Sequence, residues 1–280
     1  SLNRFFSKNL FIDDIEISTK EIKIKDILSI LRSYSPSIQL FIIENMIKEG
    51  TVVADVNLNF DNKGNIKKDY ELNASIKDGL IKVLSKKYIS NINLNLNIKD
   101  KNYLLKYLDL NFDGLKLFSK SINIKKLNKT FYIDGDIRNN NSDVKTEVLS
   151  LILNNNFDNI ENVNLNSEST FSFHLNRKFK ISNLNLKSNI TLNSLKYNYN
   201  LPELKKFLPN FNNIIELNKH AINLKLNKNQ VTINGKGAFS INNDNEFIEY
   251  SLEKKEKNFL FKLKAKIKNN PILIKFIDYK

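Results

Sequence analysis

Apolar and polar residues alternate one for one along much of this chain. Val52, Ala54, Val56, Leu58 and Phe60 are spaced by polar or small neighbours, and Asp61-Asn62-Lys63-Gly64-Asn65 follows as a turn. The alternation resumes at Tyr70, Leu72, Ala74 and Ile76 and meets Lys77-Asp78-Gly79, which reads as the next turn. Ile92, Leu94, Leu96 and Ile98 are separated only by asparagines. The rule returns at Phe171, Phe173 and Leu175, and at Leu184, Leu186, Ile190 and Leu192. Ile222, Leu224 and Leu226 lead through Lys228-Asn229-Gln230 to Val231 and Ile233, and Phe259, Phe261, Leu263, Ala265 and Ile267 come last. A period of two sustained over successive strands puts one side chain in two on a dry face and the rest in water. The pattern predicts a mainly β fold: a long, twisted antiparallel sheet, strands following one another as a meander, with a few short helices.

Helical spacing replaces the alternation in four places. Ile27, Leu28, Ile30 and Leu31 predict a helix over 26–34. Ser35-Pro36 reads as an N-cap with Pro at the first helical position, Ile38, Phe41, Ile42, Asn45 and Met46 as the stripe of a second helix over 36–48, and Gly50 as its close. Two more helices are predicted over 143–154 and 202–208. Such helices plug an open end or edge of a sheet. A Pro-containing helix followed by alternating strands occurs after Ser35 and again after Leu201, and Asn270-Pro271 opens a third such unit. The expected organisation is therefore 1–50 (first strands and helical pair), 51–200 (the main run of strands) and 201–280 (a second helix-plus-strand unit, continuous with the first).

Composition narrows the functional classes. The net charge is +14 over 280 residues, but the lysines are spread through almost every segment and interleaved with Asp and Glu. Arginine, the bidentate reader of phosphate and guanine, is limited to Arg4, Arg32, Arg138 and Arg177. Solvated surface lysines account for the charge better than a nucleic-acid face does, with a weak attraction to anionic membrane as a side effect. About one residue in six is Asn, which with abundant Lys and Ile suggests a genome rich in A·T codons. Cysteine is absent. Thiolate metal sites and disulfides are thereby excluded, and an oxidising compartment is compatible. The chain opens on Ser1 without a secretory leader or an apolar run of roughly 20 residues. It reads as a segment whose anchoring sequence lies upstream.

Catalytic groups are scarce. His174 falls on the face that alternation gives to solvent, and His220 precedes a strand beside Lys219. Both read as surface histidines, and neither has metal-ligand spacing. Asp13, Asp14 and Glu16 flank Ile12, Ile15 and Ile17 as outward charges, not as an acid–base pair. Gly235-Lys236-Gly237 reads as a bulge. With seven glycines in all, a nucleotide-cradling loop has no support. The expectation is a protein without enzymatic activity, cofactor or metal.

What remains is the apolar face. Folded onto a second sheet, it is an ordinary sandwich core. Curled without closing, it is a hydrophobic groove, and two features favour the groove: strands of roughly 8 residues, about 26 Å, and a meander without Greek-key crossovers. An uncovered trough of that size is an aggregation hazard unless it holds lipid or a partner.

The stretch from Ser33-Tyr34-Ser35-Pro36 to Ile47-Lys48-Glu49-Gly50-Thr51-Val52 resembles the AsmA-like superfamily, its YhdP-type members above all. There a proline-containing helical pair ends in glycine before alternating strands. The hairpin from Ala54 to Asp78-Gly79-Leu80-Ile81 continues the likeness, which covers about the first 130 residues. The resemblance implies a periplasmic protein of Gram-negative cells, anchored in the inner membrane through a segment outside this one. Its β-groove would shield phospholipid acyl chains on their way to the outer membrane. On that reading the groove is lined by Val52, Ala54, Val56, Leu58, Phe60, Tyr70, Leu72, Ala74, Ile76, Ile92, Leu94, Leu96, Ile98, Phe171, Phe173, Leu175, Leu184, Leu186, Ile190, Leu192, Leu224 and Leu226. The partner is phospholipid, with no nucleic acid, and the oligomeric state is open. The rival readings are an outer-membrane β-barrel, disfavoured by the lack of Trp and of tyrosines grouped at strand ends, and a closed β scaffold or adhesin.

Overall fold

In the computed structural model the described residues are 13–273, except 35, 62–66, 68, 85–86, 101, 154–157, 199, 201, 209–210, 229, 242–243, 257 and 270–271. The chain opens with β1 (Asp14–Ser18), β2 (Ile22–Lys23), α1 (Ile24–Tyr34) and α2 (Ile38–Met46). Six strands follow: β3 (Ile47–Asn59), β4 (Glu71–Leu84), β5 (Lys87–Lys99), β6 (Asn102–Phe112), β7 (Leu115–Lys126) and β8 (Thr130–Val144). Next come α3 (Thr146–Leu153), β9 (Ile160–Asn176), β10 (Ile181–Asn198) and α4 (Pro202–Lys205). β11 (Ile214–Asn227), β12 (Gln230–Ile241), β13 (Asp244–Lys255) and β14 (Asn258–Lys266) complete the described strands. From β3 onward each strand lies beside its sequence neighbours, with β1 and β2 both on β3. The result is a 14-stranded antiparallel meander in which β1 and β14 do not pair, so it is not closed into a barrel.

By contact density the chain divides into two compact units. One comprises Ser1–Phe112, Phe118–Gly135 and His174–Ile181; the other comprises Asp113–Leu117, Asp136–Phe173 and Ser182–Lys280.

From β3 to β13 the strands run 11 to 18 residues, longer than the alternation suggested. β-bulges account for the difference. Lys77-Asp78-Gly79 is not a turn: it lies inside β4, where the pairing with β5 slips between Ile76 and Gly79 and Asp78 takes a left-handed φ of 53°. Asn91 of β5 (φ 52°) and Tyr107 of β6 (φ 55°) do the same where β5 and β6 slip. Gly50 (φ 126°) sits at the slip in β3, so it belongs to the strand and does not close the helix. Each bulge adds one residue and reverses the phase of alternation while keeping the apolar series on one face. On β6, Tyr103 and Leu105 precede the bulge and Leu108 follows it, the apolar set passing from odd to even numbers. Asn and Asp tolerate left-handed backbone because their short polar side chains bond locally. Bulges also bend their strand and increase its twist.

α1 begins two residues earlier than expected, and the other three helices are shorter, at 38–46, 146–153 and 202–205. The N-cap of α2 is Ser37, not Ser35: its hydroxyl oxygen accepts the Leu40 N–H at 3.2 Å. Ser35 itself, Asn62–Asn65 and the Asn270-Pro271 pair fall outside the described residues. The stripes expected to face the sheet do so only in part, since Ile30, Leu31, Ile38, Phe41 and Ile42 are exposed. Arg32 and Glu44, 2.6 Å apart, tie α1 to α2.

Candidate functional site

In the first unit, β3, β4 and β5 place their apolar residues in straight rows. Val52 pairs with Ile76 and Ile76 with Leu94; Ala54 with Ala74 and Ala74 with Leu96; Val56 with Leu72 and Leu72 with Ile98. β6 extends two rows with Leu105 and Tyr103, and β1 adds Ile15 beside Leu58 and Ile17 beside Val56. Paired residues share a face, so these predicted lining residues form one apolar surface. Ile92, opposite Gly79, joins it past the bulge. Only Val52, Ala54 and Ile92 of this set are buried; Ile15 and Ile17 of β1 are exposed, and the others, with Phe60 and Tyr70, are half-buried. Burial pushes the Tyr103 phenol above its ordinary range, helped by neighbouring Tyr70.

The opposite face is knitted by amides. Asn97 Nδ2 donates to Asn73 Oδ1 at 2.7 Å and to Glu71 Oε1 at 3.2 Å. The Asn97 bond and then Lys99 hold the Glu71 carboxyl below its usual range. In the second unit the same device recurs: Asn193 donates to Asn164 and Asn164 to Asp143, both at 2.7 Å. Asparagine thus serves as the rung between strands on the wet side, where its donor and acceptor both find partners.

The second unit carries its own apolar rows. Leu186 pairs with Leu226 and Leu226 with Val231, while Leu224 lies between Ser188 and Ile233. Ile190 lies beside Ile222 and Leu192 beside His220. The Ser169 and Ser188 hydroxyls meet at 2.8 Å, which puts Phe171 and Phe173 on this face, their rings 5.9 Å apart. Leu184, Leu186, Ile190, Leu224 and Leu226 are half-buried and Leu192 is buried. Leu175 belongs to the first unit, where it lines a cavity together with Phe131 and Leu127.

Both histidines depart from the sequence expectation. His174 is half-buried, its ring 5.2 Å from that of Tyr132. His220 is 0% exposed. It lies on the apolar face where β11 slips against β12, beside Lys219 with φ 53°. Nε2 donates to the Ala238 carbonyl at 2.9 Å, whereas Nδ1 has no partner among the described residues. Burial lowers its basicity more than the Ala238 bond restores it. His220 shares the even-numbered face of Ile222, Leu224 and Leu226, and it was missed because β11 begins upstream of it, at Ile214. The Gly235/Gly237 pair was the legible signal. The slip falls opposite Gly237, with the extra residue on β11: a Cβ on Gly237 would lie 2.4 Å from the His220 ring, and one on Gly235 would lie 2.1 Å from that of Tyr250. The two glycines leave room for two rings.

One end of this face is sealed. Leu208, Phe211, Phe239 and Ile241 form a buried cluster with Ile215, Leu217, Ile248, Ile267 and Ile272 packed on it. Buried Glu246 holds the closing segment by accepting the Lys268 and Asn269 N–H groups at 2.8 and 2.9 Å. At the sheet edge, by contrast, every residue of β14 is exposed, including Phe259, Phe261 and Leu263.

Among the described residues no group of three His, Asp or Glu side chains is placed to hold a metal ion. Nor, among them, is any helix long and apolar enough to cross a membrane. No protein-family model, curated protein or solved structure matches the chain.

Proposed function

We propose that this chain is a non-enzymatic conduit segment of a Gram-negative cell envelope. It shields phospholipid acyl chains in the periplasm between inner and outer membrane, and is held at the inner membrane by sequence outside this segment. The observation that carries the reading is the first unit's apolar surface: rows of Val, Ala, Ile and Leu, paired strand to strand, most of them left partly exposed and backed by an amide-bonded polar face. Such a surface is stable in water only when something apolar lies on it. Burying a chain of about 16 methylenes recovers on the order of 10 kcal/mol at about 0.8 kcal/mol each, enough to move a lipid along a continuous apolar track without exposing it to water. The AsmA-like resemblance of the helical pair and first hairpin points the same way.

Leu94→Glu tests the reading. On an open face the carboxylate hydrates, so melting stays near normal while phospholipid recovered with the purified chain, measured by mass spectrometry, falls away. In a closed core the charge would be buried unpaired. Unfolding of the variant, or a wild-type chain that carries no lipid, sinks the conduit.

A further inference from the structure

The first unit contains a cavity of about 330 Å³, within the range of about 300–1,000 Å³ typical of ligand sites. Its walls are apolar: Ile43 of α2, Leu127 and Phe131 at the β7–β8 turn, Leu175 and Phe179 at the β9–β10 turn. Its rim is cationic, with Lys126, Lys129 and Arg177 lining it and no carboxylate among the lining residues. Among the described residues none of these three cations forms an ion pair. The sequence concentrates the charge here, contrary to the scattered pattern elsewhere. No Asp or Glu occurs between Asp113 and Asp134 or between Glu168 and Glu203, while Lys125, Lys178 and Lys180 flank the rim.

The β9–β10 turn is built to hold this arrangement. Asn176 Oδ1 accepts the N–H groups of Lys178 and Lys180 at 2.9 and 3.0 Å, and the Asn176 carbonyl accepts that of Phe179 at 3.0 Å. Phe179 is held at φ 58° with its ring about half in water. The turn thereby places the Phe179 ring in the cavity lining while part of it stays open to solvent. α2, which supplies Ile43, also turns Ile38, Phe41 and Ile42 to solvent.

We propose that this cavity seats an anionic phospholipid. The headgroup phosphate is gripped by Lys126, Lys129 and Arg177, and the first part of an acyl chain lies against Phe131, Leu175 and Phe179. The proposal rests on the conduit reading and adds the headgroup class and the place where it is read. Arg offers a planar fork to phosphate oxygens and Lys a mobile point charge, so an anionic head is preferred over a zwitterionic one.

The test titrates the full chain by calorimetry with lysophosphatidylglycerol and lysophosphatidylcholine of equal chain length, below their micelle concentrations. The wild-type chain should bind the anionic probe tighter by on the order of tenfold or more at low salt, and the gap should narrow as salt screens it. The triple variant K126Q/K129Q/R177Q, checked for normal melting, should bring the anionic probe down to the zwitterionic one and leave the latter unchanged. Equal binding of both probes by the wild-type chain overturns the proposal, as does a gap that survives in the variant. Tighter binding of a twelve-residue thymidine oligonucleotide through the same three cations also overturns it, in favour of nucleic acid. Leu94→Glu separates the two readings. If lipid is still recovered and lost with Leu94→Glu but the headgroup gap is missing, the conduit stands and this site falls. If the gap is present but no lipid accompanies the purified chain, the site stands and the conduit falls.

Discussion

Leu94 and Ile241 both occupy apolar positions of alternating strands, yet Leu94 is half in water and Ile241 is sealed at 3% exposure. Their strands do not explain the difference. Around Ile241 the cover comes from Leu208, Phe211, Ile267 and Ile272, which precede β11 or follow β14 and lie outside the strands. Around Leu94 the recorded cross-strand partner is Ile76 of β4, and both stay partly exposed. The same pattern therefore makes a core in one place and a surface in the other. What decides is whether a stretch of irregular chain returns to cover the face.

Substitutions in the two regions should break unequally, which makes the contrast measurable. The largest effect is expected for Phe239→Ala: removing a buried ring from the sealed cluster should cost about 3–5 kcal/mol, read by denaturant unfolding. A cost as small as that of Leu94→Glu would mean the second unit's cluster is no more a core than the first unit's face. Gly237→Ala should cost about 1–3 kcal/mol by forcing a methyl group into the His220 ring, and His220→Ala in the same chain should relieve part of it. An additive double variant would show that the glycine serves something other than that ring.

A pH titration sharpens the comparison further. The His220 imidazole is pushed below its ordinary range by burial, so the unfolded chain takes up the proton first. Its contribution to stability is complete above about pH 6.5 and is lost as pH falls through the lower folded value. Thermal unfolding between pH 7.5 and 5 should show this decline, and His220→Phe should flatten it. A slope indifferent to that substitution would place the acid sensitivity elsewhere. The smallest effect belongs to the first unit's bulges. Tyr107 is 72% exposed and left-handed, so Tyr107→Gly should relieve backbone strain, lose little packing and raise stability by up to about 1 kcal/mol. Clear destabilisation there would mean the ring is held by contacts that its exposure does not suggest.

Much of the fold could be read from residues. Alternation located the strands, the meander followed from their close succession, and the 22 residues assigned to one face divide between the two units on apolar rows or beside the cavity. The bulges were not recognised because Asp78-Gly79 has the same composition in a bulge as in a turn. The phase reversal from Ile76 to Ile81 was the available signal. His220 was misplaced for a different reason: β11 begins eight residues before Ile222, so the even-numbered series of Ile222, Leu224 and Leu226 already includes it.

Sequence alone determined the period, and with it the pairing of a dry face to a wet one, because successive side chains on a strand must point to opposite sides. Only the tertiary structure decided which part of the dry face is covered, where Lys126, Lys129 and Arg177 gather, and which histidine is buried. Those outcomes depend on contacts between residues far apart in the chain, made by turns, bulges and irregular segments whose composition carries no period to read.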